Sequence, residues 1–265
     1  MSAEPFFIAE GGDRFLPTEQ ARGRWGTNSL VGRAIVGLLG SEIEQLYGEP
    51  DFIPARLTVD MYRLPELVPV EVVVRPVRLG GRVKVIDAEF LADGVSAARA
   101  TCQLLRRTES PEGRIWKAPT WDVAPPSQFE TAPSREGRGP WAMRWVDGDF
   151  DSFGQRRAWI SEVREMVGGR PLTPFVRVAA CADFTSPFAH YSDTGLRYIN
   201  SDVTLYLDRL PAGEWIGLEA LNHQASEGIA VGECRLYDET GPIGAASCCA
   251  LAQRRSHSAP RPAAG

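Results

Sequence analysis

The nine residues Leu57-Thr58-Val59-Asp60-Met61-Tyr62-Arg63-Leu64-Pro65 recur in outline 146 positions later as Val203-Thr204-Leu205-Tyr206-Leu207-Asp208-Arg209-Leu210-Pro211. The same offset carries Ala34-Ile35-Val36-Gly37-Leu38 onto Ala180-Cys181-Ala182-Asp183-Phe184. Solenoid units repeat at much shorter periods, so a repeat of this length predicts a duplicated domain.

The two copies differ in polarity at one informative place, because Gly37 of the first copy becomes Asp183 in the second. Further along, the alignment predicts that one residue is gained at the last turn, which matches Gly94 with Gly241 and Cys102 with Cys249. A polar residue found in only one of two diverged copies is a candidate for function.

Each copy reads as one helix followed by a meander of antiparallel strands. In the first, Thr27 or Asn28 is expected to cap a helix that runs toward Gly48. In the second, Thr173-Pro174 opens a helix that Pro187 should end or kink. The alternating and continuous apolar runs after each helix are typical of strands with one buried face. These strands are expected over 57–62, 70–75, 83–90 and 96–105, then over 201–208, 214–221, 229–237 and 242–253.

The order of elements predicts an N-terminal repeat over 1–108, a linker over 109–140, a C-terminal repeat over 141–255 and a disordered tail over 256–265. The linker is rich in proline, serine, glycine and charge, yet it contains Trp116 and Trp121. Exposed indole rings are unfavourable, so these two side chains are expected to pin the linker across the repeats.

Composition excludes several classes of protein. The chain has 265 residues, 43% of them hydrophobic and 24% charged, as in a soluble globular protein. A net charge of −5 argues against a general nucleic-acid binder. No apolar run approaches the roughly 20 residues that span a bilayer. The N-terminus has no secretory signal pattern.

The five cysteines form no CxxC pair and favour free buried thiols in a reducing cytoplasm. Three histidines without an HExxH pattern offer no recognisable metal-ligand set. Cys248-Cys249 is interpreted as two small apolar residues on a buried last strand, because no histidine or acid adjoins them in sequence.

The helix segment Ala179–Phe184, the stretch from Asp202 to Arg209 with Glu214-Trp215, and the hairpin from Gly241 to Gln253 resemble the acyl-CoA thioesterase II family. The resemblance extends from Phe15 to Arg254. It implies an α+β fold, the tandem double hotdog, in which each repeat is a central helix wrapped by an antiparallel β-sheet.

In that family the second repeat holds a water with an Asp, a Thr or Ser, and a Gln. The resemblance places these three catalytic positions on Asp183, Asn200 and Cys249. Asn200 offers both a donor and an acceptor for a water, whereas a thiol at Cys249 is weak in both roles.

The resemblance implies hydrolysis of a fatty acyl-CoA thioester by an activated water, with the acyl chain in an apolar tunnel between helix and sheet. It implies no cofactor, because coenzyme A belongs to the substrate. Two alternatives stay open: a non-catalytic protein that binds acyl-thioesters, and an enoyl-CoA hydratase built on Asp183 and His190. His190 is interpreted as a loop residue, since its spacing from Asp183 differs from that of hotdog hydratases. Exposed sheet edges and the resemblance predict a homodimer or a larger assembly.

Overall fold

The computed structural model describes residues 4–26, 28–132 and 141–253. The first half contains β1 (Phe7–Gly11), β2 (Arg14–Pro17), α1 (Gly32–Tyr47), β3 (Phe52–Met61), β4 (Val70–Leu79), β5 (Val83–Ala92) and β6 (Val95–Arg106). The second half contains β7 (Ala142–Asp147), β8 (Arg157–Ser161), α2 (Pro174–Ala182), α3 (Thr185–His190), β9 (Tyr191–Ser192), β10 (Gly195–Leu196), β11 (Tyr198–Asn200), β12 (Asp202–Leu207), β13 (Ile216–Ser226), β14 (Ile229–Asp238) and β15 (Gly241–Ala252). The strands that the sequence predicts are all present, with ends that differ by a few residues.

One antiparallel sheet joins thirteen strands of the described residues in the order β1-β2-β4-β5-β6-β3-β12-β15-β14-β13-β8-β7, with β11 beside β15. The order from β2 to β3 is therefore repeated in reverse from β12 to β8. At the centre, β3 pairs with β12, and Thr58 lies opposite Thr204, its own counterpart in the repeat. Their hydroxyl oxygens are 3.2 Å apart. The two halves meet about this pair.

The register of the last hairpin corrects the alignment of the repeat. Ala92 pairs with Val95 across the first turn, and Asp238 pairs with Gly241 across the second. Both turns contain two residues, and each hairpin has its register shift at the same place. No residue is gained, so the offset stays at 146 and Cys102 corresponds to Cys248 rather than to Cys249.

The helices differ from expectation at their ends. α1 begins at Gly32 after Val31, which makes no side-chain capping bond, and Asn28 instead accepts a hydrogen bond from Arg22. Thr27, the other expected cap, lies outside the described residues. α2 begins at Pro174 with Thr173 as its cap, as predicted. The predicted break before Pro187 is present, since α2 ends at Ala182 and the separate helix α3 begins at Thr185. In one continuous helix the ring of Pro187 would clash with the carbonyl group four residues earlier.

Part of the linker packs as expected. Trp121 lies against Trp159 and Tyr237, with ring centroids 5.4 and 4.7 Å away, so this ring pins the segment to the second half. Trp116 is 82% exposed and pins nothing. The expected tail over 256–265 and residues 133–140 of the linker lie outside the described residues. No helix in the described part of the chain is both long and apolar enough to cross a membrane.

Gly244 marks the closest approach of two backbones in the second half. It lies opposite Leu207 in the pairing of β12 with β15, at a φ of 156°. A Cβ atom at this position would lie 1.9 Å from the carbonyl oxygen of Tyr206, which belongs to the backbone and cannot rotate away. The central pairing of the second half therefore requires glycine here.

We expect Gly244→Ala to destabilise the protein by about 3 kcal/mol, through overpacking and backbone strain together. Urea unfolding measures this loss. The matched control is Gly154→Ala, where a Cβ would meet nothing within 4 Å. The control should stay within about 0.5 kcal/mol of the parent protein. An equally small effect of Gly244→Ala would contradict the packing described here.

Candidate functional site

Asp183 lies at the break between α2 and α3. It keeps helical backbone angles, with φ −62° and ψ −22°, but α2 ends at Ala182. Its carboxylate rests on the first residue of α1, since a Cβ at Gly32 would come within 2.6 Å of Oδ1. The two helices therefore meet with the end of α2 at the start of α1, and only a glycine leaves room for the carboxylate.

Asn200 is the last residue of β11, and this strand brings its side chain next to Asp183. Its amide Nδ2 donates a hydrogen bond of 3.0 Å to Oδ1 of Asp183. Because the amide nitrogen faces the carboxylate, the amide oxygen remains an acceptor for a further partner. The fold thus joins two of the three site residues that the sequence suggests, although they are 17 positions apart in the chain.

The pKa of Asp183 is raised by burial, which disfavours the charged carboxylate. The hydrogen bond from Asn200, the charge of Arg33 and the backbone N–H of Arg33 each oppose this rise. The pKa remains raised overall, so the carboxylate is a stronger base than that of an exposed aspartate. A stronger base favours the removal of a proton from water.

Cys249 does not join this pair through its thiol. Its side chain is exposed, whereas the neighbouring Cys248 is buried, because successive side chains of a strand point to opposite faces. The backbone N–H of Cys249 donates a hydrogen bond of 2.6 Å to Oδ1 of Asp202. Near the site, Cys249 therefore acts through this backbone hydrogen bond rather than through its thiol.

The first half has no matching carboxylate, and the structure gives a steric reason. Gly37 faces Met166, whose Cε would lie 2.0 Å from a Cβ added at Gly37. Met166 is buried, with 2% of its surface exposed. Met166 occupies the space beside position 37, and the carboxylate at this place of the repeat is present in the second copy alone.

A second polar cluster, missed from sequence, forms around His190. This side chain is buried in α3, and its Nδ1 lies 2.8 Å from Nδ1 of His223 on β13. Its Nε2 lies 3.6 Å from Sγ of Cys248. Both ring nitrogens are thus engaged, and His190 lies in a helix rather than in the expected loop.

The signal for this cluster was present in the strand register. His223 pairs with Gly232, and Gly232 pairs with Cys248, so the three residues lie side by side on adjacent strands. A Cβ at Gly232 would lie 2.9 Å from Nε2 of His190, so the glycine makes room for the imidazole. The strand register places His223 and Cys248 in one row on either side of Gly232, and the packing of α3 adds His190 to them.

A cavity of about 190 Å³ lies at the opposite end of the helix pair from Asp183, between the last turns of α1 and the segment that leads into α2. Glu44 and Thr173 line it, and the Thr173 hydroxyl donates a 2.5 Å hydrogen bond to Glu44.

Burial, and then the charge of His223, lower the pKa of His190 to about 4. The unfolded chain takes up this proton near pH 6.5, so folding stability should fall as the pH drops from about 6.5 to 4. We expect the fall in melting temperature between pH 7.5 and pH 5 to be smaller in His190→Phe than in the parent protein. The difference should correspond to about 2 kcal/mol. All other titratable side chains are the same in both proteins, so the difference between the two melting curves isolates the histidine. Parallel curves would contradict the assignment.

Solved structures similar to this chain share its fold over nearly their whole length. A protein from Novosphingobium aromaticivorans assigned as a thioesterase is 18% identical, with 94% of this chain and 99% of that chain covered and a TM-score of 0.73. A protein of the hot dog fold from Alicyclobacillus acidocaldarius is 14% identical, with 94% and 96% covered and a TM-score of 0.72. An acyl-CoA thioesterase II from Mycobacterium marinum is 16% identical, with 89% and 97% covered and a TM-score of 0.65. These likenesses show that the chain has the hotdog fold.

No curated protein matches the chain in sequence. The family described as the acyl-CoA thioesterase C-terminal domain matches residues 115–247, which are half of the chain and include Asp183 and Asn200. On this match the chain belongs to the acyl-CoA thioesterase family.

Proposed function

We propose that this protein hydrolyses a fatty acyl-CoA thioester, with Asp183 and Asn200 holding the attacking water. The observation that carries the proposal is the 3.0 Å hydrogen bond between these two side chains at the start of α1, in a chain of the acyl-CoA thioesterase family. In this arrangement a carboxylate oxygen of Asp183 and the amide oxygen of Asn200 both accept hydrogen bonds from one water.

The reaction follows from the charges at the site. Asp183 takes a proton from the water as its oxygen attacks the thioester carbonyl carbon. Negative charge then develops on the carbonyl oxygen, and the amides at the N-terminus of α1 provide a favourable field for it. Collapse of the tetrahedral intermediate breaks the carbon–sulfur bond, and coenzyme A leaves as the thiol after it regains a proton. No covalent intermediate with the protein is required.

We also propose that the two halves are tandem hotdog repeats over 1–108 and 141–255, joined by 109–140. Support comes from the reversed strand order about Thr58 and Thr204 and from the constant offset of 146 residues. Five free cysteines support a reducing compartment such as the cytoplasm.

The hydratase alternative receives no support from the geometry. His190 would need a free nitrogen to exchange a proton with substrate, yet His223 and Cys248 engage both. Binding of acyl-CoA without hydrolysis remains the competing outcome, and thiol release separates it from catalysis.

Asp183→Asn keeps the shape of the side chain and removes its basicity. We expect release of free coenzyme A from a panel of acyl-CoA esters to fall by about 100-fold or more. The matched control is Asp208→Asn, an exposed aspartate of the second half, which should retain full activity. Parent protein that binds these esters tightly without releasing thiol would establish the binding function instead, and full activity of Asp183→Asn would assign the carboxylate a structural role.

Assembly is a separate proposal. The sheet ends at β1 and β7 within the described residues, and open strand edges favour pairing between chains. We expect light scattering at micromolar concentration to give at least twice the 29.0 kDa mass of one chain. A mass of 29.0 kDa would contradict the dimer.

A further inference from the structure

Arg33 lies in the first turn of α1 among three aromatic rings. The guanidinium carbon is 5.4 Å from the ring centroid of Trp141, 5.6 Å from that of Phe184 and 5.7 Å from that of Phe6. Trp141 and Phe184 also contact each other, with centroids 5.2 Å apart. Ring faces attract a cation, so this aromatic cage fixes the guanidinium inside the protein.

The charge of Arg33 is not consumed by a bonded acid. Its Nε is buried and has no hydrogen-bond partner. Arg164 offers the contrast, since it donates two side-chain hydrogen bonds to Glu162, at 2.8 and 2.6 Å. A caged cation without such a partner acts on the carboxylates around it through its field.

Asp183 is one of the carboxylates within this field. Phe184, the next residue in the chain, is a wall of the cage, and Gly32, the residue before Arg33, lies under the carboxylate. Burial lowers the pKa of Arg33 to about 10, with Glu162 and Asp183 opposing the decrease. The guanidinium therefore stays charged at neutral pH.

The chemistry at Asp183 needs such a cation. Asp183 is partly buried, and a protonated carboxyl cannot accept a proton from water. Asn200 is neutral, so its hydrogen bond compensates only part of the cost of a buried charge.

We propose that Arg33 is a positioning residue, which holds Asp183 in its ionised, water-activating form from within the aromatic cage and without contact with the reacting atoms. This proposal rests on the proposed hydrolysis at Asp183. The electrostatic interaction between Arg33 and Asp183, here called the charge link, can be measured without any substrate.

Arg33→Gln removes the charge and Arg33→Lys keeps it. The carboxyl carbon resonance of Asp183, followed by NMR across pH, should titrate at higher pH in Arg33→Gln and near the parent value in Arg33→Lys. For thioester hydrolysis, kcat/KM of Arg33→Gln should fall progressively below the parent value as the pH drops through the titration of Asp183, and it should converge on the parent value at pH 9. A merely structural role would lower kcat/KM equally at every pH.

Arg177→Gln is the matched control. Arg177 is also a buried arginine with an unpaired Nε, but its guanidinium bonds the carbonyl oxygen of Glu162. Its loss should reduce the melting temperature and leave the titration of Asp183 in place. If Arg33→Gln does not fold, Trp141→Leu takes its place as the test. This variant opens the cage and keeps the arginine, so it should shift the titration of Asp183 to higher pH as well.

Two results would overturn the proposal. One is an unchanged titration of Asp183 in Arg33→Gln and in Trp141→Leu, which would remove the charge link itself. The other is a shifted titration with no change in the pH dependence of kcat/KM, which would keep the charge link and refute the proposed chemistry at Asp183.

Discussion

The site depends on how closely α1 and α2 pack. Gly37 faces Ala180, and Gly40 faces Ala179 and Phe175, so small residues line the contact on both helices. The contacting residues run in opposite directions along the two helices, so α1 and α2 are antiparallel. This packing brings the end of α2 to the start of α1, and with it the carboxylate of Asp183 to Gly32. A larger side chain along this contact would separate the helices and disperse the site.

The pairing of the two central strands also fixes how the two halves are arranged, on the other side of the core from the helices. β3 and β12 pair about Thr58 and Thr204, so each half presents its meander in the reverse order of the other. The symmetry of the backbone does not extend to the chemistry. Met166 fills the space at Gly37, whereas Gly32 leaves space at Asp183. The two halves therefore differ in what surrounds the corresponding positions 37 and 183.

Buried polar groups in the second half share one physical problem, which is the loss of water. Asp183 is compensated by Asn200 and Arg33, and its pKa is still raised. His190 has only a second histidine and a thiol as partners, and it stays neutral. The carboxyl of Asp183 has an amide donor and a nearby cation as partners, whereas both nitrogens of the His190 imidazole are already engaged. The partners, more than the residue types, separate a candidate catalytic group from a structural one.

The sequence by itself determined the strands of each meander and the start of α2 at Thr173-Pro174, and it predicted the duplication and Asp183 as a candidate site residue. All of these follow from local periodicity, from capping and from comparison of the two copies. The sequence alignment shifted the last strand by one residue and therefore matched Cys102 with Cys249 instead of Cys248. The two turns have equal length but different residues, which made the difference look like an insertion. Only the tertiary structure decided the approach of Asn200, the cage around Arg33 and the pairing of His190 with His223. These contacts join elements far apart in the chain, and their geometry is set by close packing, which leaves no periodic signal in sequence.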